Sequence, residues 1–179
     1  KGTHRVKLQW TNDQNGGGYD TNVGLKKLVL MREVLQETPP PQTTPTLLST
    51  VNTQNYASGS GTTYLYGSDT LVMYGNRSVS YNLDAAQSSD YFISLETAQV
   101  TSKSIPYEGY LFNCDIYIDG VLVGNYDLPA SKTFARSDLL PLGFLSAGLH
   151  TLTIQWTNDV NLSTSLDSNL GIKNLSLYR

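Results

Sequence analysis

The sequence predicts an all-β chain folded as a jelly-roll β-sandwich. Three observations carry this. Short strand candidates follow one another at intervals of about ten residues, the spacing of a sandwich. Turn residues such as Gly67-Ser68-Asp69, Asp119-Gly120 and Ser146-Ala147-Gly148 stand between them. No stretch repeats its apolar residues at the helical period.

In chain order, residues 1–36 hold two strand candidates. Residues 37–45 form a Pro/Thr linker centred on Pro39-Pro40-Pro41, extended rather than part of a sheet. Residues 46–179 read as one sandwich domain. Tyr64-Leu65-Tyr66 and Leu71-Val72-Met73-Tyr74 flank the first turn. Ser78-Val79-Ser80-Tyr81-Asn82-Leu83 alternates cleanly; Tyr91 to Leu95 alternates less cleanly and belongs deeper. Tyr110 to Ile118 meets Val121-Leu122-Val123 across Asp119-Gly120, a strong hairpin signal. Leu139 to Leu145 and Leu149 to Trp156 follow.

The last two strands belong to a unit that occurs twice. His150-x-Leu152-x-Ile154-Gln155-Trp156-Thr157-Asn158-Asp159, then Asp167-Ser168-Asn169-Leu170-Gly171-Ile172-Lys173, matches an N-terminal pair of segments. Those are His4-x-Val6-x-Leu8-Gln9-Trp10-Thr11-Asn12-Asp13 and Asp20-Thr21-Asn22-Val23-Gly24-Leu25-Lys26. Two copies in one chain are an internal repeat. The offset between them far exceeds the residues before the linker, so the first copy reads as the tail of an upstream module. Two strands alone are marginal in water; residues 1–36 are expected to pack on the main domain or complete a neighbouring sheet. Upstream of the loop the unit alternates strictly. Downstream the apolar parity changes between Ile172 and Leu175, which predicts a bulge or bend near Gly171.

The loop joining these strands is rich in oxygen. Asn158, Asp159, Asp167 and Asn169 place two carboxylates and two amides close together, with no Lys, Arg or His in the loop. Like charges at one loop are costly unless a cation lies between them. Hard cations such as Ca²⁺ take six to eight oxygens from such groups. Metals that prefer sulfur or imidazole find no ligand there. The competing reading is that Asn and Asp build turns and cap backbone groups. The second copy adds weight to calcium.

Composition narrows the partners. Charged residues make up 15% of the 179, and the net charge is −3. That leaves no basic field for nucleic acid or an anionic membrane. No apolar run approaches a membrane-spanning helix in length. Cys114 is the only cysteine and lies in an apolar strand, which reads as a buried thiol. Abundant Thr, Ser, Asn and Gly, with 12 Tyr, is the composition of secreted β-proteins that touch polar ligands. The chain starts mid-strand at Lys1, as a fragment would.

Two further segments carry a family resemblance. Asp115 to Gly124, with Asp119-Gly120 at its turn, resembles the hairpin of β-sandwich carbohydrate-binding modules. Ala147-Gly148-Leu149-His150-Thr151-Leu152-Thr153-Ile154 resembles a later strand of the same modules. Trp156 to Asp159 followed by Asp167 to Leu170 is similar to the ending of calcium-dependent xylan-binding modules, carbohydrate-binding families 36 and 60. The resemblance spans roughly residues 110–179. It implies a non-catalytic module in which an exposed Ca²⁺ is held by loop carboxylates and carbonyls, and vicinal hydroxyls of a polysaccharide or oligosaccharide complete its shell. By that likeness Asp159 and Asp167 are carboxylate ligands, and Asn158 and Asn169 ligate or brace. The Trp156 and Leu166 carbonyls are further oxygens. Asp13, Asp20, Asn12 and Asn22 form a second site. Ser168 and Thr21 stand where the family has Arg, and Val160 to Leu166 offers no aromatic platform. Ligand-binding candidates are Trp156 and the tyrosines Tyr64, Tyr66, Tyr74, Tyr107 and Tyr110, whose rings suit sugar C–H faces. Each ring is equally at home in half-buried packing. The expected protein is a secreted monomer or tandem module.

Two other classes were weighed. For an enzyme, Glu96 and Glu108 could form a carboxylate pair, but nothing places them opposite each other. His4 and His150 sit on the apolar parity of the repeated strands. A calcium-stabilised structural or adhesin domain remains the alternative. The glycosylation patterns at Asn76, Asn161 and Asn174 are read as incidental in a chain rich in Asn and Ser.

Overall fold

The computed structural model describes residues 7–9, 15–16, 19–20, 25, 44–60, 63–100, 104, 107–163 and 165–179. Residues 1–42 and 43–179 form two compact units. In the first, β1 (Asn15–Gly16) pairs antiparallel with β2 (Tyr19–Asp20). Apart from residues 7–9 and 25, the rest of the first repeat copy, with its site residues Asn12, Asp13 and Asn22, lies outside the described residues, as does the Asp20 side chain.

The second unit is two antiparallel sheets. Its strands are β3 (Leu47–Val51), β4 (Ser58–Gly59), β5 (Thr63–Tyr66), β6 (Thr70–Tyr74), β7 (Ser78–Ala85) and β8 (Ser89–Gln99). They continue with β9 (Phe112–Ile118), β10 (Val121–Leu128), β11 (Ala135–Arg136), β12 (Leu140–Leu145), β13 (Gly148–Trp156) and β14 (Asn169–Tyr178). One sheet has five strands in the order β10-β9-β13-β7-β4. The other has seven: β11-β8-β14-β6-β5, with β12 also on β8 and β3 also on β14. This is an all-β sandwich of the jelly-roll kind, as the sequence predicts. Every regular element among the described residues is a strand.

Period-two patterning places the core. β9 alternates buried and half-buried along its whole length, so Phe112, Cys114, Ile116 and Ile118 face inward. Val79, Tyr81 and Leu83 do the same on β7, and Leu152, Ile154 and Trp156 on β13. Leu71, Met73, Tyr91, Ile93, Leu95, Leu170 and Ile172 answer from the other sheet. Burial pushes the Cys114 thiol well above its ordinary range, so it packs as a small apolar group.

The bulge in β14 is not at Gly171. The register on β8 shifts between Lys173 and Ser176, and Asn174 between them has φ 51°. Asn tolerates the left-handed region, and its Nδ2 donates to Glu96 Oε2 at 2.9 Å. Gly171 answers a different need: a Cβ there would lie 2.2 Å from Val100 Cγ1.

Asp119-Gly120 forms the tight turn between β9 and β10, with φ 51° and 80°. Asp119 also binds β13. Its Oδ1 accepts from the Thr151 N–H at 2.8 Å, and its Oδ2 lies 2.7 Å from His150 Nδ1. His150 Nε2 lies 2.9 Å from the Ser146 carbonyl oxygen. Both ring nitrogens therefore face acceptors, and only the imidazolium can donate to both. The Asp119 carboxylate first, and the Ser146 carbonyl second, raise the His150 pKa above its ordinary 6.5. Stability from this pair is fully present below 6.5 and is lost as pH rises through the raised folded value. Thermal melts taken between about pH 5.5 and pH 8.5 should show a shallow fall on the alkaline side. The fall should vanish in His150→Gln.

Candidate functional site

The site is built where β13 ends and β14 begins. Pairing registers bring four other strand ends to the same place. Tyr74 of β6 lies opposite Asn169, Gln99 of β8 opposite Leu170, and Cys114 near the start of β9 opposite Trp156. The Arg77 carbonyl, just before β7, accepts from the Trp156 N–H at 2.8 Å.

The connecting loop is closed on itself. Asn161 and Asp167 form an antiparallel bridge. The Ser168 N–H donates to the Val160 carbonyl at 2.8 Å, and the Val160 N–H to Ser168 Oγ at 2.7 Å. Ser168 Oγ donates to Asp159 Oδ1 at 2.9 Å. Gln99, 2% exposed, clamps the other side: its Nε2 donates to the Asp167 carbonyl at 2.8 Å and its Oε1 accepts from the Asn169 N–H at 2.7 Å. Asn76 Oδ1 accepts from the Asp159 N–H at 2.7 Å.

These contacts place Asp159 and Asp167 on one closed loop, both half-buried and near enough for the Asp167 charge to bear on Asp159. Burial chiefly raises the Asp159 pKa; the Asp167 charge adds to the rise, while the Ser168 bond and Arg77 oppose it. Asp159 Oδ2 would lie 3.7 Å from a Cβ on Gly75, whose φ of 85° turns the chain past the carboxylate.

The two asparagines act differently. Asn158 Oδ1 accepts from Trp156 Nε1 and from the Asn113 N–H, each at 2.8 Å, and its Nδ2 donates to the Leu111 carbonyl at 2.8 Å. With both lone pairs of that oxygen taken, Asn158 is a brace; its side chain is removed from the set of metal ligands. Asn169 is 1% exposed, and its Nδ2 donates to the Asp167 carbonyl and carboxylate at 3.2 and 3.3 Å. It positions Asp167.

The aromatic candidates also divide. Trp156 is 0% exposed and Tyr110 4%, so neither ring can lie against a sugar. The Tyr110 hydroxyl instead donates to the Asn158 carbonyl at 2.8 Å. Both are corrected from ligand contacts to core. Tyr107, Tyr110, Phe112 and Trp156 run edge to face from surface to core, with centroids 5.4, 5.6 and 5.5 Å apart. Tyr66 is exposed but pairs with Thr70, at the opposite end of β6 from Tyr74. At about 3.3 Å per residue that end is roughly 13 Å from the loop. Tyr64 pairs with Val72, and its side chain lies outside the described residues. Tyr107 and Tyr74 remain as exposed rings at the site's end of the sandwich.

Glu96, one of the two glutamates set aside as a carboxylate pair, is bound by Arg136 at 3.0 Å and by Asn174. Among the described residues no group of three or more His, Cys, Asp or Glu side chains gathers as a metal centre. What the loop brings to this end of the sandwich is two carboxylates, Asp159 and Asp167, with amide and hydroxyl groups bonded around them.

No family profile and no curated protein matches the chain. Solved structures do. A family 35 carbohydrate-binding module from Clostridium thermocellum superposes with TM-score 0.53 at 14% identity, over 75% of this chain and 98% of that one. A family 36 carbohydrate-binding module, solved with calcium and xylotriose, gives TM-score 0.50 at 20% identity, over 74% and 100%. The C-terminal family 6 module of a marine laminarinase from Zobellia galactanivorans gives 0.51 at 12% identity, over 75% and 100%. The chain has the fold of carbohydrate-binding modules. In that module fold the loop carrying Asp159 and Asp167 sits at one end of the sandwich, braced by two residues that sequence reading missed. Asn76 and Gln99 are far from the loop in sequence and carry no local signal of this role; Ser168, read from the sequence only as standing where the family has Arg, is a third brace.

Proposed function

We propose that the second unit is a non-catalytic, calcium-dependent polysaccharide-binding module of a secreted protein. The carrying observation is that Asp159 and Asp167 share one closed loop, both half-buried and with the charge of one bearing on the other, and that the loop's sequence holds no Lys, Arg or His. A divalent ion between them would relieve the repulsion and would leave positions open on the solvent side. Vicinal sugar hydroxyls can replace water at such positions, and the family 36 neighbour carries calcium with a xylose oligomer. Asp159 and Asp167 would hold the ion; Ser168, Asn169 and Gln99 would hold the two carboxylates in place. Tyr107 and Tyr74 are the rings available for sugar faces. The half-burial favours this over a purely structural ion, which would be enclosed by protein.

Each hydroxyl that binds the ion displaces a water, so the net gain is small. Affinity should fall between about micromolar and millimolar, or roughly 4–8 kcal/mol. If the first repeat copy forms a like site, the pair would gain avidity on one polymer. Calorimetry or affinity electrophoresis against xylan, mannan and galactan, with calcium and with EDTA, tests the reading. Binding should disappear in EDTA and return when calcium is restored; retention in EDTA would refute the calcium bridge.

A further inference from the structure

A polar recess of about 180 Å³ opens beside the proposed site, lined by Ser60, Asn76, Arg77, Ser78 and Gln155. It is fixed to the Asp159 loop twice, through Asn76 Oδ1 to the Asp159 N–H and through the Arg77 carbonyl to the Trp156 N–H. Ser60 Oγ accepts from the Ser78 N–H at 2.9 Å and from Ser78 Oγ at 3.0 Å, which spends the Ser78 proton and leaves that of Ser60 to donate. The exposed Arg77 guanidinium is not committed. Among the described residues it has no hydrogen-bond or salt-bridge partner, although it lies near enough to Asp159 to draw that carboxyl's pKa down. The chain's other described ion pairs are satisfied: Arg136 with Glu96, Lys173 with Asp69, His150 with Asp119.

An unpaired guanidinium among amide and hydroxyl donors is a receptor for an anion with planar or tetrahedral oxygens. We infer that this recess takes an acidic substituent, carboxylate or sulfate, carried by the bound polysaccharide, with Arg77 as its principal contact. The inference rests on the sugar-binding reading and names the substrate class within it. A whole-molecule attraction cannot supply the same preference, because the chain's net charge is −3. The selectivity must be local, from Arg77 with Asn76, Ser60 and Gln155.

The test uses the full chain with calcium present and three polymers: glucuronoxylan, sulfated carrageenan and neutral arabinoxylan. Titration calorimetry should show at least one acidic polymer bound about tenfold tighter than the neutral one, the scale of a charge-assisted bidentate pair. Preference for glucuronoxylan identifies a carboxylate, and preference for carrageenan a sulfate. The ratio of acidic to neutral affinity should collapse toward one in Arg77→Gln. Arg77→Lys, which keeps the charge and loses the fork, should retain part of it. Thermal melts of both variants check folding; if Arg77→Gln is unfolded, the Arg77→Lys ratio decides. Equal affinity for acidic and neutral polymers, or a preference that survives in Arg77→Gln, overturns the acidic subsite and leaves sugar binding standing. Failure of all three polymers to bind overturns both.

Discussion

Replacing Asn158 by alanine should destabilise the module by roughly 3–5 kcal/mol, and it should do so equally with and without calcium. The truncation strips the acceptor from the Trp156 indole N–H, which is enclosed in the core, and from the Asn113 N–H at the start of β9. It also removes the donor to the Leu111 carbonyl. Two orphaned donors cost about 1–3 kcal/mol each, and the lost donor adds to this. Urea unfolding followed by Trp fluorescence reads the change, although Trp10 also contributes to the signal. Asn158→Asp keeps the accepting oxygen but sets a carboxylate oxygen against the Leu111 carbonyl, so it should recover only part of the loss. A variant as stable as the parent in EDTA but blind to calcium would reverse the assignment and return Asn158 to the ligand set.

Asp159→Asn and Asp167→Asn should behave in the opposite way. In EDTA, Asp159→Asn should be neutral or slightly stabilising, because burial and the Asp167 charge both oppose its ionised form. The sign is fixed by the raised pKa: the ionised group costs stability as pH rises through its folded value, and removing the charge removes that cost. Asparagine can still accept the Ser168 hydroxyl bond. With calcium at about a hundred times its dissociation constant, the parent should gain roughly 2.7 kcal/mol, or about 5–10 °C in Tm. Both variants should lose that gain, together with polysaccharide binding. Melts with a calcium titration separate the effects; a parent whose Tm ignores millimolar calcium would defeat the metal reading.

How much of this was readable beforehand depended on where the information lies along the chain. The β9–β10 hairpin was legible because Asp119-Gly120 specifies its own turn, and β7, β9 and β13 because their alternation is complete. The parity change between Ile172 and Leu175 was legible as a bulge or bend near Gly171; the shift falls between Lys173 and Ser176, around Asn174, whose side chain is held by Glu96 from another strand. β3, β4 and β11 were missed because they are short or exposed and lack a buried face to impose alternation. In the candidate site, the placing of Asp159 and Asp167 on one loop between β13 and β14 could be read from the sequence. The duties of Asn158 and Tyr110 could not, since they are set by Asn113, Leu111 and one another across the sheet. Tyr66 shows the same limit: exposure does not say which end of a strand a ring occupies.

The way β14 is used has a consequence for assembly. It holds β8 along one edge, and along the other it serves β6 up to Lys173 and β3 from Leu175 onward. It also follows every other strand of the sandwich in sequence. During synthesis, then, β3, β6 and β8 emerge with their shared partner still unmade, and their hydrogen-bonding edges stay open until β14 itself has emerged from the ribosome. Such non-local closure makes for slow folding and a window in which chaperones or misassociation compete.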